Sequence, residues 1–130
     1  MIRLPWLLQF GDHALLFLRL LIASIFVWSG ASHVRDPVAR GRSIGMSPGF
    51  TRILGFGEIA GGLGVGLGVL TQLAALGLIL VMLGAIQKKI FAWRTGFWGP
   101  HGTDGWHYDL MLVAMNLVIA TTAGGRFVLV

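Results

Sequence analysis

Apolar residues along this chain fall into four long runs separated by short stretches rich in charge, proline and glycine. A bilayer core takes ~20 apolar residues per helix, with a range of about 17–25. The runs have that length, and they predict helices over about 14–32, 51–70, 73–90 and 108–124. The lead-in "MIRLPWLLQFGDH" is short and amphipathic, with Trp6 suited to the headgroup level. "HVRDPVARGRSIGMSPG" reads as a true loop, because two prolines and three glycines interrupt it. Only "TQ" separates the second and third runs, so they form a tight antiparallel hairpin in which Thr71 can cap the third helix. "FAWRTGFWGPHGTDGWHYD" is the second substantial loop, and "AGGRF" ends the fourth helix with a glycine stop. The expected fold is all-α: an integral membrane four-helix bundle, antiparallel and up-down, forming a single domain over 1–130.

Composition agrees with this pattern. Of the 130 residues, 55% are hydrophobic and 12% charged, and mean hydropathy is +0.80. Soluble domains average about 25% charged residues, so half the usual charge is missing. The first run has Arg3 ahead of it, and Ser29 and Ala31 near its end mimic a signal-peptide cleavage pattern; it is expected to be retained as a transmembrane helix. The net charge of +5 does not point to nucleic acid, because the basic residues flank apolar spans and leave no basic face for a phosphate backbone. Arg35, Arg40, Arg42, Arg52, Lys88, Lys89 and Arg94 lie on the side of the first and third loops, against Arg3 and Arg126 on the other. The positive-inside rule places those loops in the cytoplasm and both termini outside, in a multi-pass cell-membrane protein. Cysteine is absent, which excludes disulfides, thiolate metal sites and cysteine nucleophiles.

Against this background the buried polar residues carry the information. Glu58 sits within "GFGEIAGGLGVGLG", where glycines four apart (Gly57/Gly61, Gly62/Gly66, Gly64/Gly68) let transmembrane backbones approach closely. Glu58 shares a face with Gly61 and Gly62 and should point into the bundle. A Leu at Gly61 should therefore cost more than one at Gly68, near the helix end. An intramembrane carboxylate marks a functional site by default. The partner expected for it is Arg19, whose planar fork suits a carboxylate, although helical rise leaves a ~9 Å offset in depth between them. Asn116 lies near the depth of Glu58. Arg19 and His33 fall on one stripe of the first helix, and Gln87, His107 and Asp109 gather at the third-loop boundary. Arg19, Glu58, Asn116, His33, His107 and Asp109 thus outline a chamber between helices 1, 2 and 4, opening toward the loops with Arg19 as its floor. A structural pair holding helices 1 and 2 in register explains Arg19 and Glu58 equally well. His101, His107, Asp109 and His33 have no metal-diagnostic spacing, so no metal is assigned. Trp93, Phe97, Trp98, Trp106 and Tyr108 form an interfacial belt, or else the roof over a flat ligand.

The segments "LLFLRLLIASIFVWSGASH", "GFGEIAGGLGVGLGVLTQLAAL" and "FW…GWHYDLMLVAMNLV…GGRF" resemble the DoxX family of small four-helix membrane proteins over nearly the whole chain. The family-like elements are Arg19 and the glutamate with its glycines, Glu58, Gly61 and Gly62; His107 stands where an acidic residue is frequent. The resemblance implies association with quinone-linked oxidation. The family is named after a subunit linked to archaeal thiosulfate:quinone oxidoreductase, while distant animal relatives are receptor-assembly chaperones. The reading it implies is a membrane subunit of a redox system that has no intrinsic cofactor and binds a quinone or similar apolar carrier. A partner subunit then supplies the electrons, and the bilayer is its solvent. The alternatives are a scaffold or assembly factor, and a small-solute or proton pathway. A homo-oligomer is compatible with the same residues.

Overall fold

The computed structural model describes residues 4–36, 38, 47–92, 94, 96–98 and 105–129. Arg3, Arg40, Arg42, Trp93 and His101, which entered the orientation, belt and metal arguments, lie outside them. Four α-helices and no strand occur among the described residues: α1 (Gly11–Arg35), α2 (Pro48–Leu67), α3 (Thr71–Gln87) and α4 (Trp106–Thr122). A 3₁₀ turn over Pro5–Phe10 leads into α1, and a π turn over Lys88–Ala92 extends α3.

The local signals at the ends are physical. Ser47 Oγ accepts from Phe50 N–H at 3.2 Å, and Pro48 fills the first helical position, where its missing N–H is not needed. At the other end of α2, Gly68 turns into the left-handed region (φ +78°), and the N–H groups of Gly68 and Val69 both close on Gly64 O at 2.9 Å. That turn ends α2 at Leu67, three residues before the expected boundary. Thr71 does not cap α3. Leu70 occupies the capping position in a left-handed conformation, and Thr71 is the first helical residue. The glycine stop after α4 is present, with Ala123, Gly124 and Gly125 all at positive φ.

The helices pack as two close antiparallel pairs. Gly30 and Gly55 bring α1 and α2 together backbone to backbone: a Cβ on Gly55 would lie 2.7 Å from Gly30 O and 2.9 Å from His33 Cβ. Gly62 and Gly66 continue this seam, where added Cβ atoms would meet Phe26 and Ala23. In lipid such contact is a main source of helix association, since apolar burial no longer separates protein from solvent. Gly61 and Gly64 face α3 instead, at Leu78 and Ala74, while Gly57 meets nothing within 4 Å. The expected Gly57/Gly61 pair is therefore not a packing unit. The second pair, α3 and α4, is tied by Gln72 Nε2 donating to Ala120 O (2.9 Å) and by Lys89 against Asp109. The α2–α3 hairpin joins the pairs, whereas α1 and α4 meet only over a short stretch. Ile22, Phe26, Val65, Ala75, Leu78, Met82, Leu112 and Ile119 fill the centre.

Two helical stretches, Pro5–Arg35 and Thr71–Phe91, are long and apolar enough to cross a membrane, with mean hydropathies of 2.0 and 1.8. Their most apolar windows are only 22% and 17% buried in the protein. Side chains such as Phe17, Trp28, Leu73 and Leu80 face outward, as a lipid solvent favours.

Candidate functional site

Arg19, early on α1, is 1% exposed and directs its donors at backbone carbonyls. Nε donates to Val65 O at 2.8 Å and Nη2 to Gly66 O at 3.0 Å; Nη1 donates to Gly124 O at 3.4 Å and to Phe127 O. Val65 and Gly66 belong to the last turn of α2, whose carbonyls have no intrahelical partner and carry the negative end of the helix dipole. The guanidinium therefore acts as a cap for α2 and as a clasp for the C-terminal tail. Leu129 N–H adds a bond to Gly68 O at 3.2 Å, and Arg126 N–H bonds Asp12 Oδ1 at 3.1 Å. The expected pairing with Glu58 is replaced. Glu58 lies about two turns back along α2, and the nearer carbonyls take all the described bonds of Arg19.

Glu58 instead faces His33, with Nδ1 and Oε2 3.8 Å apart and both residues under 5% exposed. His33 Nδ1 is also 2.7 Å from Ser29 O. A carbonyl can only accept, so Nδ1 carries a hydrogen, and in the neutral ring Nε2 is the basic nitrogen. The close approach of Gly30 to Gly55 is what brings these side chains together. The structure thus pairs Glu58 with a group one face-turn from Gly30, at the loop end of the α1–α2 seam.

The other candidates form separate groups. Asp109, in the first turn of α4, pairs with Lys89 of the π turn at 2.8 Å. His107 Nδ1 donates to Phe97 O at 2.7 Å, and its backbone N–H reaches the same oxygen at 2.9 Å, which pins residues 96–98 to the start of α4. Its ring lies 5.2 Å from that of Trp98, and Phe97 meets Trp106 edge to face at 4.6 Å. Gln87 is exposed. Asn116 is fully buried among core residues, and Nδ2 donates to Leu112 O at 2.9 Å. A shallow, open hollow of about 160 Å³ lies at the end of α1 between Trp28, Ser32, Arg35 and Asp36, and none of the six candidates lines it. No group of three or more His, Cys, Asp or Glu side chains able to hold a metal occurs among the described residues.

Sequence reasoning missed Lys89 as the partner of Asp109, although the up-down order brings the end of the third run level with the start of the fourth. It also missed the carbonyls around Arg19, which no residue type announces.

The described residues are all-helical, and two of their helical stretches are long and apolar enough to cross a membrane. The DoxX family model matches residues 14–98, and the chain belongs to that family. Arg19, His33 and Glu58 fall within the matched stretch; His107, Asp109 and Asn116 fall beyond it. No curated protein and no solved structure matches the chain.

Proposed function

We propose that this DoxX-family protein is a four-helix membrane subunit, spanning the bilayer up-down, that holds a quinone or similar apolar carrier for a partner redox protein. The connections after α1 and after α3 lie in the cytoplasm and both termini outside, as the distribution of Arg and Lys requires. The observation that carries the reading is the buried His33–Glu58 pair at 3.8 Å. An imidazole donates a hydrogen bond to a quinone oxygen or takes a proton from a quinol. Without cysteine, the chain supplies a site and an anchor, and the partner supplies electrons. Native mass spectrometry of gently solubilised protein tests this directly. Wild type should retain quinone, and His33→Leu and Glu58→Gln should each lose most of it while staying folded. Wild-type protein free of quinone would overturn the reading. The engagement of Arg19 by backbone carbonyls favours a second reading, a non-catalytic scaffold or assembly factor whose buried polar groups set helix register. A copurifying partner in the absence of quinone would select it.

A further inference from the structure

The outward face of α1 ends in a hollow of mixed charge. Leu21, Trp28 and Arg35 follow one another at seven-residue spacing, close to two helical turns, so they share one stripe of the helix. All three are exposed, Trp28 to 71%. Ser24, between Leu21 and Trp28, turns its hydroxyl back on Leu20 O at 2.9 Å, which leaves that part of the stripe apolar. At the helix end, Trp28, Ser32, Arg35 and Asp36 surround the shallow hollow. The Arg35 guanidinium has no ion pair or hydrogen bond among the described residues.

The stripe has the length of one leaflet. From Leu21 to Arg35 the helix rises ~21 Å, and half a bilayer with its headgroup layer measures about 20–22 Å. An acyl chain laid along Leu21 and Trp28 therefore brings its headgroup level with Arg35. Charge then selects the headgroup. Arg35 offers a planar donor fork to a phosphate. Asp36, which closes α1 with its N–H on Ser32 O at 3.2 Å, opposes a second anion and attracts a cation. The last carbonyls of α1 act in the same sense, as the negative end of the helix dipole. A purely anionic headgroup meets Asp36 as well as Arg35, whereas one that carries a phosphate and a primary ammonium suits both. Ammonium N–H groups donate where the carboxylate and carbonyls accept. A quaternary ammonium has the charge but no N–H to donate.

We propose that this hollow seats the headgroup of a phosphatidylethanolamine, with its phosphate on Arg35, its ammonium on Asp36 and an acyl chain along the Leu21–Trp28 stripe. The proposal needs only that α1 crosses the membrane. It is independent of the quinone reading, whose His33–Glu58 pair is buried in the seam with α2.

The test is native mass spectrometry of the full chain released from nanodiscs that hold equal parts of phosphatidylethanolamine, phosphatidylcholine and phosphatidylglycerol with identical acyl chains. Wild type should retain phosphatidylethanolamine about tenfold over each of the others, the worth of one charge-assisted hydrogen bond. Asp36→Asn should lose most of that preference, and Arg35→Gln should lower retention of all three lipids. Both positions are exposed, so neither substitution should unfold the chain. Equal retention of the three lipids by wild type would overturn the proposal. A preference for phosphatidylglycerol would overturn it too, leaving only a basic membrane surface. So would a phosphatidylethanolamine preference that both variants keep, which would put the lipid elsewhere on the protein. None of these outcomes bears on quinone retention, because His33 and Glu58 are unchanged in every sample.

Discussion

The two ends of the α1–α2 seam solve the same physical problem in different ways. Each buries an ionisable side chain of α1, and each lies against α2. At the tail end, Arg19 meets backbone carbonyls of α2 and of residues 124–127. At the loop end, His33 meets the side chain of Glu58. A carbonyl cage is permanent, because its acceptors belong to the backbone and cannot titrate or swing away. A side-chain pair has rotamers and protons, and can be reorganised by a ligand. The contrast teaches that burial of a charge does not by itself mark a site. The nature of its partners separates a fastening from a group available for chemistry.

The largest effect expected from this contrast is at Arg19. Arg19→Met should destabilise the protein by about 3–5 kcal/mol, since charge-assisted hydrogen bonds are each worth ~1.5–3 kcal/mol and the terminal carbonyls of α2 would be orphaned. Combined with Glu58→Gln, the two losses should add to within ~0.5 kcal/mol, as independent sites do. Denaturation of the two singles and the double measures the coupling. A strongly favourable coupling would restore the Arg19–Glu58 pair and dissolve the distinction between the two ends.

A smaller effect separates Gly68 from Gly61, and it reverses the order expected from sequence. A Cβ on Gly68 would lie 2.6 Å from Val128 Cα and 2.8 Å from Arg19 Nη2, in a backbone conformation at φ +78° that L residues resist. A Cβ on Gly61 would be crowded by the Leu78 side chain, at 2.8 Å, with the nearest backbone atom, Ala74 O, at an ordinary 3.7 Å. Gly68→Ala should therefore cost more than the ~1–2 kcal/mol of the left-handed conformation alone, and more than Gly61→Ala. Thermal unfolding in one detergent ranks the two variants, and a milder Gly68→Ala would show that the tail is not seated on the turn.

The smallest effect is at Gly57, where an added Cβ meets nothing. Gly57→Ala should be neutral or stabilising by about 0.5–1 kcal/mol, because glycine inside a helix is less favourable than alanine by that amount. Destabilisation there would mean that the outer face of α2 is covered by another helix in the membrane.

Much of the fold was legible from the chain. Run length and apolar content located all four helices to within about three residues at each end, since a membrane-length apolar stretch has few other stable forms. The Ser47–Pro48 start of α2 and the glycine stop after α4 follow from local backbone chemistry. The small-residue spacing correctly announced that α2 packs closely, and residue type alone singled out Arg19, Glu58 and Asn116 as buried polar groups.

What only the tertiary structure decided was pairing. Which glycines face α1 and which face α3 depends on the rotation of α2 about its axis, and its glycines lie on more than one face. The partner of Arg19 could not be read from side chains, because its acceptors are main-chain carbonyls that every residue carries. They become available only where Gly68 ends α2 and the tail folds back over the turn. Glu58 is buried as its context predicts, but its neighbour is His33 rather than Arg19, because the ~9 Å offset in depth leaves Arg19 level with the last turn of α2. The chain by itself determined that charges would be buried; the close approach at Gly30 and Gly55 determined that His33 would meet Glu58, and left Arg19 to the helix end.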